Sequence, residues 1–94
     1  MDFEHKKFGK CKISDITQGQ AEKFSLAMRD ADASNMPLIV WNRLALISAI
    51  DAGILLEPKL SKEEVEASNP GLIKWLAQCV AEAFAEATST DPLS

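Results

Sequence analysis

Residues 37–56 read PLIVWNRLALISAIDAGILL and are apolar on nearly every side, interrupted only by Asn42, Arg43, Ser48, Asp51 and Gly53. A helix without a polar face is normally a buried one, because no side of it prefers water. The stretch therefore predicts a central helix around which the remaining residues pack. Asn35 fits its N-cap, and Pro37 fits its first turn, where a missing N–H does no harm. Gly53 can take the left-handed conformation that closes a helix. Pro58 then prevents a return to helix and leaves ILLEP as an extended exit.

On the N-terminal side, Thr17 followed by Gln20 has the form of a capping box. Ala21, Phe24, Ala27, Met28 and Ala31 fall at helical spacing behind it and predict an amphipathic surface helix, which the polar run DADASN at 30–35 ends. On the C-terminal side, Ser61 with Glu64 repeats the capping box and predicts one or two turns through Ala67. Asn69-Pro70 restarts a helix that runs to about Thr88. Its apolar face carries Leu72, Ile73, Leu76, Val80, Ala83, Phe84 and Ala87, and its other side Lys74, Gln78, Glu82 and Glu86.

FGKCKI, residues 8–13, alternates like a strand, with Gly9, Cys11 and Ile13 on one face and Phe8, Lys10 and Lys12 on the other. A lone strand needs a partner. Two are open: the Leu55–Leu60 segment, or another protein. The expected fold class is thus all-α (mostly helical), a compact bundle of three main helices plus a short helix, with a short N-terminal strand-like segment. The expected organisation is a flexible, charged N-terminal arm at 1–7, a single helical domain at 8–88, and a flexible tail at 89–94.

Composition narrows the function classes. At 94 residues the chain makes one domain, burying roughly 60–65% of its unfolded surface. With 47% hydrophobic and 26% charged residues it is globular rather than disordered. Its net charge of −4 and its lack of a basic stripe argue against nucleic acid as a partner. Arg43 and Asp51 argue against residues 37–56 spanning a membrane, each costing about 2.5–3.5 kcal/mol near a bilayer centre. No apolar segment follows the first basic residues, so a secretory signal is not read, and a cytoplasmic protein is expected.

No catalytic residues are read. The glycines Gly9, Gly19, Gly53 and Gly71 form no phosphate-binding motif. Asp15, Asp51 and Glu57 lie near segment ends, where carboxylates usually cap or solvate. Cys11, Cys79 and the sole histidine, His5, have no metal-ligand spacing, so neither metal nor cofactor is expected. The two cysteines read as reduced thiols, with a disulfide left open.

What remains is binding to protein. Trp75 sits between the apolar and polar faces of its helix, where a tryptophan can anchor an interface. Trp41 reads rather as a core residue. Glu82 and Glu86, one turn apart near the negative end of the helix dipole, read either as a solvated face or as an acidic surface for a basic partner. Phe8, Lys10 and Lys12 line the strand-like segment, whose edge could pair with another chain or with a sibling copy. The same lysines are also what a protein uses to block such pairing. The candidate partner-binding residues are therefore Trp75, Glu82, Glu86, Phe8, Lys10 and Lys12.

The order FGKCKISDITQGQAEKF, then a helix ending AIDAGILLEP, then NPGLIKWLAQCVAEAFAEA resembles small tail-module proteins of long-tailed bacteriophages. The likeness is carried by Ser14–Gln20, Ala49–Pro58 and Pro70–Ala77 and spans residues 8 to 88. Such proteins are similar to tail assembly chaperones. The resemblance implies a non-catalytic protein that binds and solubilises the tape-measure protein, recruits tail-tube subunits, and acts in the host cytoplasm. Two other classes stay open: a minor tail or head–tail connector protein retained in the virion, and a small regulatory protein-binding domain.

Overall fold

A computed structural model describes residues 1–29, 31, 32 and 34–89. The chain runs β1 (Asp2–His5), β2 (Gly9–Ile13), α1 (Gln18–Ala27), α2 (Leu38–Asp51), β3 (Leu55–Glu57), α3 (Lys62–Ala67) and α4 (Pro70–Thr88). The strands form an antiparallel sheet in the order β1-β2-β3. With 56% helix and 14% strand among the described residues, the fold is mixed α/β, which corrects the all-α expectation. The helices lie close to where the sequence puts them. The error is the sheet.

The N-terminal arm accounts for much of it. Residues 1–7 carry β1, which pairs with β2 through Asp2↔Lys12, Phe3↔Cys11, Glu4↔Lys10 and His5↔Gly9. Opposite charges thus face each other across the strands, the arrangement that stabilises an antiparallel pair. The ladder extends to Met1, whose ammonium donates to the Ile13 carbonyl while the Ile13 N–H donates to the Met1 carbonyl, each at 2.8 Å. At the hairpin, Gly9 adopts φ 90°, a conformation that a side chain would strain. His5 holds the turn: its Nδ1 accepts from the Lys7 N–H at 3.0 Å and the Phe8 N–H at 3.4 Å.

β2 is consequently the central strand. Its partners are β1 and β3, with Lys12↔Glu57 and Ile13↔Leu55 in register around a local irregularity. Of the two partners open to the strand-like segment, the Leu55–Glu57 stretch is the one it takes.

Three of the four N-cap signals hold. Thr17 with Gln20 and Ser61 with Glu64 form reciprocal capping boxes, and the Asn69 side chain accepts from the Gly71 N–H. Gly53 takes φ 75° just beyond α2. Asn35, however, is not the cap of α2. Pro37 occupies that position without a side-chain bond, and the Asn35 amide donates to Asp32 instead.

The core gathers Cys11 and Ile13 from β2, Leu46, Ala49 and Ala52 around the end of α2, Ile54, Val65 of α3, and Ile73, Leu76, Cys79, Val80 and Ala83 of α4. Burying one leucine such as Leu46 contributes about 1.5–3 kcal/mol. Ser48 is the buried polar residue among those described, and its hydroxyl donates to the Met28 sulfur at 3.5 Å. The central helix is not buried all round. Leu38 is 65% exposed and Ile39 58%, whereas Ala45, Leu46, Ser48 and Ala49 are buried. The C-terminal half of α2 carries the core contacts, and its N-terminal half is left uncovered.

Candidate functional site

That uncovered half borders an apolar hollow of about 510 Å³, open to solvent. Three helices make it. α1 contributes Phe24 and supports Met28 at its C-cap; α2 contributes Trp41, Asn42 and Ala45; α4 contributes a stripe from Ala77 to Thr88 that includes Val80, Ala81, Phe84 and Ala85. Each set follows from helical spacing. Phe24 and Met28 are four apart, as are Trp41 and Ala45, and Ala81 and Ala85, so each pair stands on one face of its helix. Leu38, three residues before Trp41, continues the α2 face beyond the hollow.

The chemistry of the lining is uniform. Among the described residues no lining side chain is charged, and Asn42, Gln78 and Thr88 supply its polar groups. At one end the Phe24 and Phe84 rings meet at 5.1 Å between centroids, within the range of favourable aromatic pairs. Ala81 and Ala85 are exposed and leave the α4 wall low. From Ala77 to Thr88 the α4 wall is about 16 Å long at 1.5 Å per residue, which matches three turns of a second helix.

None of the six residues singled out from the sequence lines this groove. Phe8 and Trp75 come together elsewhere, with their rings 6.2 Å apart and nearly parallel. His5 packs between them, 4.7 Å from Phe8 and 5.3 Å from Trp75. Gly71 lets Phe8 sit close to α4, since a Cβ there would lie 3.3 Å from the ring. Both aromatics are half-buried and tie the hairpin to the first turns of α4.

Lys10 and Lys12 are exposed on the outer face of the central strand, opposite Glu4, Asp2 and Glu57. β1 covers β2 along one side, whereas β3 covers the other side only at Lys12 and Ile13, so Lys10 lies beyond the stretch that β3 pairs. Glu82 and Glu86 are exposed on α4. Glu86 lines a small surface hollow with Asp15, Ile16 and Ala87, away from the groove. The 89–94 tail is described only at Ser89; Thr90–Ser94 lie outside the described residues.

Of the residues that do make the groove, Trp41 reads from the sequence as core, and Phe24, Met28 and Phe84 read as parts of apolar helix faces. Trp41 is only half-buried. The signal that distinguishes them is the relative placement of three helices, which helical periodicity does not contain.

Among the described residues no group of three or more His, Cys, Asp or Glu is placed to hold a metal ion. No helix among them is long and apolar enough to cross a membrane. Comparison of the chain with protein-family models, with curated proteins and with solved structures gives no match.

Proposed function

We propose that this chain is a non-catalytic protein-binding domain that takes the apolar face of a partner helix into the groove between α1, α2 and α4. One observation carries the reading: the groove is long enough for three helical turns and, among the described residues, is lined without a charge. Such a surface suits an amphipathic helix laid in by its apolar stripe. Glu82, one position beyond Ala81 on α4, offers a complementary charge to a basic residue flanking that stripe.

The resemblance to tail assembly chaperones supplies the partner class. In that reading the client is the tape-measure protein, a very long chain rich in helical, apolar segments that aggregates when unaccompanied. The domain would hold such segments one at a time in the host cytoplasm and release them as the tail is built. The docking mode is helix in groove. The strand-mediated part of the expectation is narrowed, since β1 covers one side of β2 and β3 covers the other at Lys12 and Ile13.

The test is co-expression with the long apolar-rich protein encoded just downstream, followed by fractionation and pull-down. The client is expected in the soluble fraction, bound to this chain. If it stays insoluble and nothing is retained, the chaperone reading fails. Detection of the chain in purified particles would then favour a structural tail or connector protein.

A further inference from the structure

Cys11 and Cys79 stand far apart in sequence and meet in the core. Cys11 lies on the central strand and Cys79 midway along α4, and the two elements pack directly. They are 1% and 3% exposed and belong to the same apolar cluster. Both are free, and the thiols lie near enough to influence each other's ionisation. Around them the core offers Ile13, Leu76, Val80 and Ala83. Burial disfavours either thiolate, and for Cys11 it outweighs the opposing pull of the Met1 ammonium. In the closed fold neither cysteine is a nucleophile. What the core does contain is two buried thiols in one cluster, one on the sheet and one on the helix packed against it.

We propose that Cys11 and Cys79 are a concealed dithiol that closes to a disulfide when β2 and α4 part in the presence of a low-molecular-weight disulfide, and so ties the sheet to α4. The exchange balances with glutathione disulfide as oxidant. One protein thiol, as its thiolate, attacks a glutathione sulfur, breaking the S–S bond and releasing one glutathione. The second protein thiolate attacks the protein sulfur of that mixed disulfide, forming the Cys11–Cys79 bond and releasing the other glutathione. The two protein thiols lose two electrons and two protons, which end on the two glutathione thiols. Their juxtaposition in the folded state favours the second step over a lasting adduct. Burial makes opening of the core the controlling event.

The experiment uses the full chain, incubated with glutathione disulfide in buffer and at its urea midpoint. The chain is diluted to refold, free thiols are blocked with iodoacetamide, and intact mass and urea midpoint are measured. The chain opened in urea is expected to lose two hydrogens, to carry neither glutathione nor carbamidomethyl, and to unfold about 1–2 M higher in urea than the reduced form. The chain kept in buffer is expected to react far more slowly. Persistent glutathione adducts overturn the proposal, as does recovery of two blockable thiols after opening, or an oxidised chain no more stable than the reduced one. As a check on the pairing, Cys11→Ala and Cys79→Ala should each hold a single glutathione after the same treatment.

Discussion

The Phe24 and Phe84 rings lie 5.1 Å apart and tilted by 42°, joining α1 to the last turns of α4 at the end of the groove. No residue of α1 is fully buried, so this pair is a large share of what holds that helix in place. Phe24→Ala and Phe84→Ala should each lower stability by about 1–3 kcal/mol, less than the ~3–5 of a fully buried phenylalanine. A double-mutant cycle in urea should leave a coupling of about 0.5–1.5 kcal/mol. Strict additivity would mean that the rings touch without holding α1.

Ala81 isolates the groove from the fold. Its side chain is exposed and lines the α4 wall. Ala81→Glu should change stability by no more than about 0.5 kcal/mol, as surface substitutions usually do. It should weaken client capture at least about tenfold by setting a charge against an apolar helix face. Lys59→Glu, exposed in the segment after β3, is the control. Equal loss of capture in both variants would move the docking surface elsewhere.

Local signals were legible, and assembled ones were not. Thr17 with Gln20, Ser61 with Glu64, and Asn69 mark helix starts within a few residues of chain, so their capping geometry follows from spacing alone. β1 hides because Asp2, Glu4, Lys6 and Lys7 look like a solvated arm. Only the alternation of Phe3 and His5 betrays a strand, and it gains meaning once Lys10 and Lys12 stand opposite the acids. The strands span four, five and three residues, too short for periodicity to rise above the helical pattern around them. Apolarity on every face of α2 assumes a cover on every side. Here the cover reaches only its C-terminal half, and Leu38, Ile39 and Trp41 are left to border open space. The groove depends on how three helices are set against one another, which is why its residues read singly as core or as apolar helix face.

Gln20 links two helix ends. Its Oε1 accepts from the Thr17 N–H at 3.1 Å, completing the capping box, and its Nε2 donates to the Gly53 carbonyl at 3.2 Å. Gln20→Glu keeps the box and removes the donor. It should cost about 0.5–1.5 kcal/mol. Gln20→Ala removes both and should cost about 1–2 kcal/mol. Equal urea midpoints for the two variants would mean that the Gly53 bond adds nothing.

His5 combines packing with hydrogen bonding, and substitution can separate the two. Phenylalanine at this position keeps a ring against Phe8 and Trp75 but takes away the acceptor for the Lys7 and Phe8 N–H groups. His5→Phe should therefore retain the Trp75 emission maximum and lose about 0.5–1.5 kcal/mol. His5→Ala should also shift the emission to the red as Trp75 gains water. An unchanged spectrum in His5→Ala would remove His5 from the cluster that anchors the hairpin.

The buried thiols give stability an alkaline limit. Burial pushes Cys11 up from its ordinary 9.0 to about 12, with Cys79 beside it adding to the shift. Burial raises Cys79 as well. Since the folded state holds the neutral thiol and the unfolded state releases its proton near 9.0, the stabilisation is fully present below pH 9 and is lost as the pH rises toward 12. The measurement is a difference between two proteins. Urea midpoints of the wild type and of Cys11→Ala are compared at pH 8 and pH 10.5. The wild type should lose more stability than the variant over that interval. Parallel losses would mean that the Cys11 thiol ionises as readily folded as unfolded, and that water reaches the contact between β2 and α4.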